Sequence, residues 1–165
     1  MAMTTSGTAK LTLPTDTEIL ITREFDAPPH LVYKAWTEPE LVRRWWAGHR
    51  GQMKVAEIDL RVGGRWRYVM EAGGGFEVAF HGEYREIVPG ERIVTTEVFE
   101  GAPPSEAGDV INVVTFEAAG GGTKLDLLAQ CPSQEIRDMI FNSGMEGGVQ
   151  EQMDLLDELA AGLRA

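Results

Sequence analysis

The segment spanning residues 133–163 constrains the fold more than any other stretch of this chain. Met145, Val149, Met153, Leu156, Leu159 and Leu163 recur at three- and four-residue steps. At roughly 100° per residue they fall within one apolar arc about 120° wide. Glu146, Gln150, Asp154, Asp157 and Glu158 take the opposite side. An isolated helix is marginal in water, so this apolar face has to lie on something, and the rest of the chain must supply the partner.

Upstream, the pattern changes to period two. In residues 17–26, Ile19, Ile21 and Phe25 alternate with polar residues, as in a half-buried strand. Arg23 falls in phase with them, which points to an ion pair with a nearby carboxylate ahead of a ligand contact. Asp26-Ala27-Pro28-Pro29 ends the strand and opens a helix, since proline fits the first helical turn. Thr37 and Glu40 have capping-box spacing and start a second short helix. Trp45 and Trp46 follow; adjacent side chains cannot both face one core, so one anchors the helix pair and Trp46 is favoured to reach a pocket.

Six further strand-like segments, at 53–59, 65–71, 76–88, 91–100, 110–118 and 123–131, are separated by glycine- and proline-rich turns such as Gly73-Gly74-Gly75, Pro89-Gly90 and Gly120-Gly121-Gly122. The expected architecture is α+β. A curved antiparallel sheet of about seven strands wraps a long C-terminal helix, with two short helices after the first strand. Residues 1–15 read as a flexible tail and 16–165 as a single domain. Ser133 is the expected N-cap of the last helical region. Ile136 and Ile140 lie out of phase with the later arc, so a kink or split is expected at Asn142-Ser143-Gly144. Gly144, Gly147 and Gly148 imply either a close backbone approach or room for a guest.

The chemistry that is missing narrows the function. A net charge of −11 argues against nucleic acid and anionic membranes. No apolar run is long enough to span a bilayer, and residues 1–15 lack a secretory signal pattern. Cys131 is the sole cysteine, so no internal disulfide forms and a cytoplasmic location is expected. No His-x-x-x-His or Cys-x-x-Cys pair implies a metal, no phosphate or dinucleotide glycine pattern implies a cofactor, and no Gly-x-Ser-x-Gly elbow is present. Of the three histidines, His30 and His49 read as surface residues, and His81 lies inside a strand.

If the sheet is larger than its one helix can cover, a cavity remains between them. The expected lining is Trp46, Trp66, Tyr68, Met70, Phe80, His81 and Tyr84, then Val114, Phe116, Met145 and Val149. Arg23, Arg67, His81 and Tyr84 would orient a guest, while His81, Glu83 and Asp126 are the acid–base candidates for an enzyme.

Several motifs together carry a family resemblance. They are Asp26-Ala27-Pro28-Pro29, Trp36-Thr37-Glu38-Pro39-Glu40, Trp45-Trp46, Asp59-Leu60-Arg61-Val62-Gly63-Gly64 and Gly82-Glu83-Tyr84. The chain, from about Ile19 to Leu159, resembles proteins similar to the C-terminal domain of the activator of Hsp90 ATPase, within the START/Bet v 1-like superfamily. That resemblance implies the helix-grip fold, with a hydrophobic cavity between sheet and helix, and it brings no catalytic set. Where such relatives commonly carry tryptophan in the last helix, this chain has Val149 after Gly148, a smaller side chain that enlarges the cavity or loosens the helix contact. The leading expectation is therefore binding of a small hydrophobic, lipid-like or aromatic ligand. The alternatives are a polyketide cyclase or hydrolase type of enzyme, and a co-chaperone-like interaction module or homodimer. The resemblance places chaperone activation in larger eukaryotic proteins with an additional domain, so it is not expected here.

Overall fold

The computed structural model describes residues 3–4, 9–101 and 108–163. Within these, the chain runs β1 (Met3–Thr4), β2 (Lys10–Thr12), β3 (Glu18–Phe25), α1 (Pro29–Thr37), α2 (Pro39–Val42), β4 (Gly51–Ile58), β5 (Arg65–Ala72), β6 (Phe76–Val88), β7 (Arg92–Phe99), β8 (Val110–Ala119), β9 (Gly122–Gln130), α3 (Gln134–Phe141) and α4 (Met145–Gly162). Every pairing is antiparallel, in the order β1-β2-β3-β9-β8-β7-β6-β5-β4. The α+β helix-grip architecture is thus present, with nine strands where about seven were expected.

The two additional strands depart from the reading of residues 1–15 as a tail at 3–4 and 10–12, while residues 1–2 and 5–8 lie outside the described residues. Leu11 pairs with Ile21 and is fully buried. Gln150 of α4 clamps Ala9, accepting from its N–H at 3.0 Å and donating to its carbonyl at 2.7 Å. A three-residue strand with one inward side chain is too short to show a period, which is why the sequence pattern hid it.

The core face of the sheet follows the pleat. Ile19, Ile21, Arg23 and Phe25 of β3 lie opposite Ala129, Leu127, Leu125 and Thr123 of β9, and Leu125 and Leu127 in turn face Phe116 and Val114 of β8. Val149, Met153 and Leu156 of α4 are buried against this face. Arg23 is inside the core boundary, and the ion-pair reading holds: its Nη2 is 3.0 Å from Asp154 and its Nη1 3.7 Å from Asp157, both on α4. Register shifts between Met53 and Val55, and between Tyr84 and Glu86, bend the sheet around the helix.

The helical region divides where the apolar phases conflict. Ser133 caps α3, its hydroxyl accepting from the Ile136 N–H at 3.2 Å. Gly144 has φ 88°, a left-handed conformation that glycine adopts without a Cβ penalty, and α4 begins at the next residue. The expected capping box at Thr37 does not form. Thr37 belongs to α1 and donates to the Tyr33 carbonyl at 2.8 Å, while Glu38 precedes Pro39 at the start of α2 without a side-chain cap. Proline at the first helical position supplies the local preference instead.

Candidate functional site

The two tryptophans separate as adjacent residues must. Trp45 is 3% exposed, packs on Trp36 at 4.9 Å between ring centroids and donates its indole N–H to the Ala35 carbonyl at 2.9 Å. Trp46 is half-buried and turns its ring toward β5 and β6, 5.3 Å from Tyr68 and 5.4 Å from Phe80. Its loop is tied to α4 by Gln152, which donates to the Trp46 carbonyl, and by Glu151, which accepts from the His49 N–H at 2.9 Å.

From Trp46 an aromatic series runs out along the concave face. Phe80 pairs with Phe99 across β6 and β7, ring centroids 5.2 Å apart, and Phe99 is 45% exposed. Tyr68 is buried and stacks on Trp66 at 4.8 Å, whose N–H donates to the Thr96 carbonyl at 3.2 Å. Met70 lies on the same face of β5 and, like Met145 at the start of α4, is half-buried. Tyr84 is buried, and burial pushes its phenol far above the ordinary range. The other expected lining residues sit deeper. Val114 and Val149 belong to the close-packed core, and Phe116 lies under α1 at 5.5 Å from Tyr33 and 6.1 Å from Trp36. Val149, Met153 and Leu156 of α4 are buried in the same core cluster. Trp46 and Phe80 are half-buried and Phe99 is exposed, the last also bordering the groove of His81 and Glu100.

Of Gly147 and Gly148, only Gly147 is crowded. A Cβ on Gly147 would come within 2.8 Å of the Arg50 guanidinium, and one on Gly148 within 3.6 Å. The close approach is that of Arg50, which also pairs with Glu151 at 3.7 Å.

His81 is corrected. It lies on the outer face of the sheet, because successive strand residues alternate and Phe80 points inward. His81 Nδ1 is 2.9 Å from Glu100 Oε2, and Arg67 donates twice to the same carboxylate at 2.9 Å. Together with Arg65, Glu83 and Asp109 these residues border an open groove of about 1000 Å³ on the outer surface. Bonds from Arg67 and His81 push the Glu100 carboxyl down to about 2, so the cluster is a saturated ion network. Arg67 is thus committed to Glu100 on the outer face, while Arg23 pairs through its Nη atoms and its buried Nε has no hydrogen-bond partner among the described residues. Glu83 is on the outer face, 3.7 Å from Arg85, and Asp126 accepts from Thr22 Oγ1 at 2.8 Å in phase with Lys124. The three acid–base candidates all lie away from the concave interior.

Glu97 and Asn112 escaped the sequence reading. Ile93, Thr95 and Glu97 share one face of β7, and Asn112 shares it with Val114 and Phe116 on β8. Asn112 Nδ2 donates to Glu97 Oε1 at 2.9 Å. Burial raises the Glu97 carboxyl, opposed by the Asn112 bond. The signal that could have found them was a polar residue in phase with core residues on consecutive strands. Cys131 is buried, and burial pushes its thiol up, which makes it a poor nucleophile. Among the described residues no His, Cys, Asp and Glu cluster could hold a metal ion, and no helix is long and apolar enough to cross a membrane.

A family model described as "Activator of Hsp90 ATPase homolog 1-like protein" matches residues 26–161. The chain belongs to that family. Solved structures similar to this member share its fold over nearly the whole length. A Rhodobacter sphaeroides protein aligns with a TM-score of 0.85 at 22% identity, covering 94% of this chain and 99% of that one. A Mycobacterium smegmatis protein gives 0.81 at 24% identity over 96% of each chain. A Chromobacterium violaceum protein gives 0.75 at 30% identity, over 88% of this chain and 98% of its own. No curated protein matches the chain.

Proposed function

We propose that this protein reversibly binds a small, largely apolar molecule on the concave face of the sheet, at the end where α3 gives way to α4. The observation that carries the reading is the contrast along that face. Ile19, Leu125 and Leu156 are fully buried, whereas Trp46, Phe80 and Phe99, all large aromatics, retain accessible surface. Exposed aromatic surface in a concavity is costly in water and is covered favourably by an apolar guest. The helix-grip fold of this family is consistent with such use.

A titration with the neutral dye Nile red tests it. The account expects saturable fluorescence enhancement that Phe80→Ala or Trp46→Ala weakens about tenfold or more, with the folded state retained. Non-saturable enhancement, equal in all three proteins, overturns the proposal. The acid–base enzyme reading loses its named residues, since His81, Glu83 and Asp126 all sit on the outer face.

A further inference from the structure

We infer that the guest on the concave face is an amine, an apolar or aromatic body carrying a positively charged nitrogen that pairs with Glu97. This rests on the binding reading above and adds the chemical class of the ligand. Glu97 projects to the concave side of β7, in phase with the core residue Ile93. One oxygen, Oε1, accepts from Asn112 at 2.9 Å. The other has no hydrogen-bond partner among the described residues, and Glu97 as a whole is half-buried. Two residues further along the same strand, the ring of Phe99 packs against Phe80, which in turn meets Trp46.

A carboxylate in apolar surroundings is stable only when something compensates its charge. Asn112 is neutral, and no Lys, Arg or His of the described residues pairs with Glu97. Of the buried arginines, Arg23 is engaged by Asp154 and Asp157, and Arg137, which with Glu97 acts on Cys131, is bonded to Asp138 and to the Thr15 and Glu18 carbonyls. The missing charge is positive, and aromatic faces beside a carboxylate suit a cationic nitrogen through their electron-rich π-surfaces. The chain's net charge of −11 raises the local concentration of cations in the same direction.

The test uses three matched probes, 1-naphthylmethylamine, 1-naphthalenemethanol and 1-naphthoic acid, titrated into the whole protein by calorimetry at pH 7.5. The amine is expected to bind about tenfold or more tightly than the alcohol, and the acid weakest. Glu97→Gln keeps the shape and the acceptor for Asn112, and is expected to abolish the amine's advantage over the alcohol. An independent readout on the unaltered protein is the Glu97 carboxyl signal in NMR. Saturating amine should lower its titration midpoint and the alcohol should not. The groups recorded as interacting around Glu97 are Tyr68 and Cys131, both raised by burial, with the Arg137 guanidinium acting on the same Cys131. Equal binding of amine and alcohol, or amine binding unaffected by Glu97→Gln, overturns the amine inference and leaves the apolar site standing. Binding of none of the three overturns both.

Discussion

Trp45 and Trp46 are neighbours with different surroundings, and they should fail differently when truncated. Trp45→Ala removes a fully packed indole and a buried hydrogen bond to Ala35, and is expected to cost about 3–5 kcal/mol in urea unfolding. Trp46→Ala should cost roughly 1 kcal/mol and act mainly on binding, because its ring is half-buried at the accessible end of the concave face. Glu97 makes a second prediction at this scale. Its folded pKa is raised, so the native state holds more protons than the unfolded chain and stability falls as pH rises from the ordinary carboxylate range through the folded value. Glu97→Gln should therefore raise the melting temperature at pH 7, with the gain shrinking toward pH 4. A variant less stable than the parent at every pH would contradict this. Glu100 behaves oppositely: held down to about 2 by Arg67 and His81, it favours the fold above the ordinary carboxylate range and loses that effect as pH falls through about 2.

At the scale of elements, α4 depends on what crosses it. Gln150 ties β2 to the helix by two buried bonds to Ala9, so Gln150→Ala leaves a buried N–H and carbonyl unpaired. The expected loss is about 1–3 kcal/mol, together with faster amide exchange at residues 9–12 and unchanged protection in β7 and β8. Gly148 is a helical glycine with room for a methyl group, 3.6 Å from Arg50. Gly148→Ala should accordingly stabilise the fold by about 0.5–1 kcal/mol in chemical denaturation. The split of α3 from α4 was legible because Ile136 and Ile140 are out of phase with Met145 and Val149 and a glycine stands between them. The capping at Thr37 was misread because the hydroxyl had a closer acceptor, the Tyr33 carbonyl one turn back.

At the scale of the molecule, periodicity carried the fold and only part of the candidate site. Seven strands with alternating side chains and a helix with one apolar arc leave few ways to bury both faces, so the helix-grip arrangement was readable. β1 and β2 were not, because a short strand makes its case through tertiary partners such as Gln150 and Ile21. The site suffered from a different cause. Phe80 and His81 cannot share a face, so a strict reading of the pleat would have sent His81 outward to Glu100. How the interior fills depends on how α1 and α4 settle together over the sheet, with α1 on Phe116, which no local pattern encodes.

The central claim is that the concave face near the start of α4 takes an apolar guest, and amide chemical-shift mapping during a Nile red titration tests it most directly. The account predicts saturating shifts concentrated at Trp46, Tyr68, Phe80, Phe99 and Met145, with Arg67, His81 and Glu100 unmoved. Shifts confined to that outer ion cluster, or none that saturate, would contradict it.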